Sequence, residues 1–164
     1  MLSPRLIKCR GFFLFSPCFC GWRNFYWNEF LLPSSLQLSE SIEILLQPIK
    51  GKSTVKIKLG LHEALVNAVK HGNIEDKSKF IRIRLILTPN WFVWQIQDQG
   101  NGLPIEKRYF SLPKDLDADS GRGLFIIHQC FDDVRWSQKG NRIQLAANRK
   151  SSSDQGNLDL LSLP

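Results

Sequence analysis

Three short blocks, in one order, constrain this chain more than anything else in it. Glu63-x-x-x-Asn67-x-x-x-His71 falls in a helical pattern, Asp98-x-Gly100-x-Gly102 follows a strand pattern, and Gly121-Arg122-Gly123-Leu124 opens a second helix. In the first block Leu61, Ala64, Leu65 and Ala68 gather on one side at helical spacing, while Glu63, Asn67, Lys70 and His71 gather roughly opposite. Read singly, that polar stripe is the solvated face of an amphipathic helix, the Asp98 block is a turn, and the Gly121 block is a helix start. In sequence they put a polar stripe, a carboxylate beside two glycines and an anion-favouring helix N-terminus into one domain.

Each block also has a chemical reading. Glu63 is placed as a general base toward a hydroxyl or water, Asn67 as an uncharged oxygen ligand for Mg²⁺, and His71 or Lys70 near phosphates. Asp98 would accept a hydrogen bond from an exocyclic amine such as adenine N6, which selects adenine over guanine. Gly100 and Gly102 are expected to let the backbone approach the base and ribose without Cβ clashes. At Gly121-Arg122-Gly123 a phosphate would meet free N–H groups, the positive end of the helix dipole and Arg122, with Leu124 closing the block. The lysine and hydroxyl residue of a P-loop are missing there, which disfavours a Walker-type site. Together the blocks describe an ATP pocket.

The segments around them read as alternating strands and helices. Residues 25–32 form a first strand ending at Pro33, and Ser34 or Ser35 caps a helix whose apolar stripe is Leu36, Leu38, Ile42, Leu45 and Leu46. Gly51 and Ser53 introduce the Glu63 helix. Ile81, Ile83, Leu85 and Leu87 alternate with Arg82, Arg84 and Ile86, and beyond the Pro89-Asn90 turn Phe92, Trp94 and Ile96 alternate with Val93, Gln95 and Gln97. Residues 99–120 read as a loop long enough to cover a ligand. A helix from Gly121 to Phe131 turns Leu124, Ile127 and Phe131 inward, and strands near 134–137 and 142–147 follow, joined by Lys139-Gly140-Asn141.

A chain of 164 residues, 43% of them hydrophobic, buries one core without splitting in two. Of the formal charge of +7, Arg5, Lys8, Arg10 and Arg23 put four charges before residue 25. The expected domain at 25–148 is therefore only mildly basic, and no run interleaves Lys or Arg with aromatics as a nucleic-acid stacking platform requires. Cys9, Cys18, Cys20 and Cys130 match neither a zinc ribbon nor a disulfide framework and read as free thiols in a reducing, cytoplasmic setting. Residues 1–24 resemble a secretory signal only superficially, since Pro17 breaks the apolar run and no small-x-small site follows. They are too short to span a bilayer and read as an unstructured basic extension or an upstream start assigned in error, ahead of a targeting or membrane-surface role, and residues 149–164 read as a disordered tail.

LGLHEALVNAVKHGN, DQGNGLP and SGRGLFIIHQCFDDV resemble the N, G1 and G2 boxes of the Bergerat-fold ATPases, the superfamily of gyrase, histidine kinases and mismatch-repair ATPases. The chain is most similar to the branch of small anti-sigma factor serine/threonine kinases. That resemblance implies a two-layer α/β sandwich, with a mixed, mostly antiparallel sheet and helices on one face holding ATP and Mg²⁺ beneath a lid. It implies that Glu63 is the catalytic base, Asn67 the magnesium ligand, His71 the polar residue closing the N box, and Asp98 the adenine-binding carboxylate. Gly100 and Gly102 would be the G1 glycines, and Gly121 and Gly123 the G2 glycines around Arg122. The implied activity is phosphotransfer from ATP to a serine or threonine of an antagonist protein, with sequestration of a sigma factor and a homodimeric assembly. Two other readings stay open: a non-catalytic ATP-binding sequestration module, and a stand-alone catalytic domain serving a histidine kinase.

Overall fold

The computed structural model describes residues 9–11, 26–49, 54–108 and 122–149. Alternation in two neighbouring strands, β3 (Phe80–Leu87) and β4 (Trp91–Gln97), sorts their side chains onto two faces. Ile81, Ile83, Leu85, Phe92, Trp94 and Ile96 are buried, whereas Arg82, Arg84, Gln95 and Gln97 look the other way. Thr88 closes the hairpin: its N–H donates to Trp91 O at 2.9 Å, and its Oγ1 accepts from Trp91 N–H at 2.9 Å.

Four more strands extend this hairpin into a six-stranded sheet. They are β1 (Cys9–Gly11), β2 (Tyr26–Pro33), β5 (Asp133–Trp136) and β6 (Arg142–Asn148), in the order β1-β2-β3-β4-β6-β5. Every pair among the described strands is antiparallel, so the mixed component of the expected sheet does not occur there. Within the stretch read from sequence as unstructured, Cys9–Gly11 pair with Trp27–Glu29, because the outer edge of β2 offers backbone donors and acceptors that a passing segment satisfies.

Among the described residues three helices cover the apolar face: α1 (Ser39–Leu46), α2 (Thr54–Asn67) and α3 (Arg122–Cys130). Ile57, Leu61, Leu65 and Ile127 meet Ile83, Trp94, Ile96 and Leu145 in a single core. Each such fully buried side chain contributes about 1.5–3 kcal/mol. Trp94, wholly out of water, donates its indole N–H to Leu45 O at 3.3 Å, which ties α1 to the sheet. This is the two-layer α/β sandwich that the family resemblance implied. Neither expected serine caps α1: Ser34 N–H is held by Lys79 O at 3.0 Å and Ser35 Oγ accepts from Gln37 N–H at 3.3 Å, so the helix starts only after the buried Leu38. Among the described residues no helix is long and apolar enough to cross a membrane. Residues 50–53, 109–121 and the tail from 150 onward lie outside the described residues, and with them Gly51, Ser53, most of the expected lid and Gly121.

Candidate functional site

The site begins where α2 and α3 touch. A methyl group built at Gly60 would fall 2.6 Å from Cys130 Cβ and 2.6 Å from Phe131 Cε2, so the two helices meet at a distance only glycine permits. That approach carries the start of α3 to the polar stripe of α2. A methyl at Gly123 would lie 3.1 Å from Glu63 Oε2 and 3.4 and 3.5 Å from the Asn67 amide atoms. Glu63, Asn67 and Gly123, expected together from sequence, are thus brought together, with Glu63 and Asn67 both half-buried one turn apart. His62, which the sequence reading passed over, puts Nδ1 3.6 Å from Glu63 Oε1.

Beyond Asn67 the helix widens into a π turn, Ala68–Gly72, closed by Asn73 N–H donating to Ala68 O at 2.8 Å, five residues back. Asn73 is fully buried and joins three segments: its Nδ2 donates to Phe80 O at 3.2 Å, and its Oδ1 accepts from Gln99 N–H at 2.8 Å. Gln99 Oε1 in turn accepts from Phe80 N–H at 2.6 Å. Neither side chain was singled out from sequence, and no spacing rule would find them, because their partners are backbone groups brought close only by the fold.

This knot holds Asp98 against the π turn. A methyl at Gly72 would sit 2.3 Å from Asp98 Cγ, and one at Gly100 would sit 2.1 Å from Gly72 O. Asp98 N–H donates to Asn141 O at 3.0 Å, Asn141 Nδ2 donates to Asp98 O at 3.3 Å, and Gly100 N–H donates to Asp98 Oδ1 at 2.8 Å. Burial pushes the Asp98 carboxyl above its ordinary range, against the opposing pull of the Gly100 N–H and the more distant Lys139 and Lys79 ammonium groups. Among the described residues no side chain donates to it. A half-buried carboxylate without a side-chain donor fits the recognition of an exocyclic amine.

The second glycine of that block has a positive φ of 88°, and a methyl there would lie 2.0 Å from Lys139 O. The need for glycine at positions 100 and 102 therefore comes from the chain's own backbone, at Gly72 and Lys139. The sequence reading had assigned it to room for a base and ribose. Leu103 N–H donates to Gly140 O at 3.0 Å, and Arg108 locks the arrangement. Its guanidinium donates to Leu103 O at 2.7 Å, Ser137 O at 3.1 Å and Gln138 O at 3.0 Å, fastening the loop after Asp98 to the β5–β6 turn.

The remaining expected residues fall differently. Lys70 and His71 are exposed, because the π turn breaks the 3.6-residue phase that aligned them with Glu63 in sequence. Arg122 is exposed at the start of α3. Leu124 packs against the core, as expected of the inward stripe of α3. No cluster of three or more His, Cys, Asp or Glu suited to a metal occurs among the described residues. Asn67, next to the Glu63 carboxylate, offers a neutral hard oxygen of the kind that suits Mg²⁺.

The sequence model of one family, the histidine kinase-like ATPase domain, matches residues 40–147, a span holding every residue of the three blocks. No curated protein matches the chain.

Proposed function

The chain belongs to the histidine kinase-like ATPase domain family, and on that premise we propose that it is an ATP-dependent protein serine/threonine kinase acting on an antagonist protein and sequestering a sigma factor. The meeting of Glu63, Asn67 and Gly123 supports this reading best, because it joins a base, a metal ligand and a helix N-terminus across two helices. Asp98 would hold the adenine amine, Asn67 the Mg²⁺ that neutralises phosphate charge, and the first N–H groups of α3 the phosphates. Glu63 would take the proton of the serine or threonine hydroxyl as its oxygen bonds to the γ-phosphorus and the bond to ADP breaks. His62 Nδ1 lies 3.6 Å from that carboxylate, beyond hydrogen-bond distance. A site that served only to bind nucleotide would have no use for a carboxylate at the phosphate end.

Labelled ATP, the purified protein and serine-bearing candidate partners test the proposal. Glu63→Gln should keep ATP affinity while transfer falls roughly 10²–10⁴-fold. Asn67→Ala should weaken Mg²⁺-dependent binding as well. Tight ATP binding with no transfer to any partner would favour the sequestration module, and transfer to histidine in trans would favour the histidine-kinase reading.

A further inference from the structure

The face of the sheet turned away from the helices carries a second recognition surface. Register places Arg82, Gln97 and Arg142 side by side on β3, β4 and β6. The next row on that face places Glu29, Arg84, Gln95, Gln144 and Arg135 across five strands. Arg82, Arg84, Gln95, Gln97 and Arg142 line one shallow depression. Glu29 is the carboxylate nearest to it, with Oε2 2.6 Å from Arg84 Nε and Oε1 3.7 Å from Arg82 Nε. Arg142 pairs with no carboxylate among the described residues. The Arg82 side chain keeps 52% of its surface exposed and the Arg84 side chain 42%.

An antiparallel sheet can leave one face in water, and solvation alone explains polar residues there. It does not explain their kind. Glu29 and Asp133 on the flanking strands answer Arg82, Arg84 and Arg135, but the central positions on β3, β4 and β6 hold only arginine and glutamine, and Arg142 there has no carboxylate partner among the described residues. Planar guanidinium forks grip carboxylates through paired hydrogen bonds, and a carboxamide N–H can add a single one. The third row runs Trp27, Ile86, Val93, Ala146 and Asp133; its first three members are half-buried and apolar and give the cationic rows a hydrophobic flank, while Asp133 at its β5 end pairs with Arg135. No aromatic shares the two arginine rows, so bases would find no stacking platform among the guanidiniums. Packing the face on its own copy would set guanidinium against guanidinium.

We propose that this outer face docks an acidic segment of a protein partner, with Arg82 and Arg142 gripping its carboxylates and the Trp27 row taking its apolar side chains. The inference rests on the sheet face and not on the nucleotide reading. It is tested by fluorescence anisotropy of the full chain with a labelled ten-residue glutamate peptide at low salt. Wild type should bind, and Arg82→Gln/Arg142→Gln should weaken binding by about fivefold or more, with ATP affinity unchanged. Lys77→Gln/Lys107→Gln removes the same charge elsewhere and should cost less than about twofold if the face, not the net charge, is read. Should the first double variant fail to fold, Arg142→Gln alone is expected to lose about twofold. Equal losses in both double variants would overturn the proposal. So would tighter binding of a ten-nucleotide single strand than of the peptide, or a wild-type dimer that Arg142→Gln dissociates in sedimentation.

Discussion

Asp98 is fixed through its backbone by Asn141 and pushed by burial toward its neutral form. A carboxyl whose folded pKa lies above its unfolded value supports folding at acid pH, and that support is lost as pH rises from the unfolded value through the folded one. At neutral pH the ionised Asp98 therefore opposes folding of the nucleotide-free protein. Asp98→Asn should melt higher than wild type at pH 7, with the difference shrinking as pH falls into the ordinary carboxylate range. Superimposed melting curves across that range would contradict the burial argument. On the binding side, a charge-assisted hydrogen bond is worth about 1.5–3 kcal/mol, so Asp98→Ala should lose roughly ten- to hundredfold in ATP affinity by calorimetry. Removing the carboxylate's charge thus favours folding while losing the acceptor weakens recognition, because burial raises the carboxylate's energy until an amine is offered to it.

At the scale of elements, β3 and β4 were readable from sequence because one face of each meets the core, so that alternation records burial directly. The contact of α2 with α3 was only half readable. Glu63, Asn67 and Gly123 stand out by residue type, but the role of Gly60 depends on Cys130 and Phe131 lying across from it. The π turn was hidden, since Ala68, Lys70 and His71 continue a helical pattern whose hydrogen bonding has changed. Asn73 and Arg108 were hidden for another reason: both satisfy carbonyls or amides from distant segments, and backbone groups leave no trace in a sequence. Arg108 gives the clearest test of this level. Arg108→Lys keeps the charge but loses the fork that reaches three carbonyls at once. Hydrogen bonds to a charged group are worth about 1.5–3 kcal/mol, so exchange of the Leu103 and Gly140 amides should accelerate roughly tenfold or more while β3 amides stay protected. Acceleration spread evenly over β3 and the β5–β6 turn would mean that Arg108 supports the whole fold and not the loop alone.

For the whole molecule, the question is which segments the fold needs beyond the family span of residues 40–147. That span omits β2, yet Phe30 and Leu32 on β2 and Leu38 before α1 are core residues, and β2 pairs along the full length of β3 from Pro33↔Phe80 to Tyr26↔Leu87. A chain starting at residue 40 would lose these apolar side chains and open the edge of β3. Removing a buried leucine alone costs about 2–5 kcal/mol, against a total stability of about 5–15 kcal/mol for a domain. That chain should be unfolded by circular dichroism. Starting at residue 25 instead removes, among the described residues, only β1, whose pairing with Trp27–Glu29 extends a sheet that is already complete on its apolar side. A chain of residues 25–150 should fold, bind ATP and melt within a few degrees of the full chain, as a change of about 1 kcal/mol shifts a domain of this size by roughly 4–8 °C or less. It leaves the β2 edge open with Trp27 and Glu29 unpaired, so sedimentation should show more self-association than in the full chain. If the shorter chain folds but stays as monomeric as the full one, β1 does not protect that edge. If it fails to fold, residues before 25 belong to the domain.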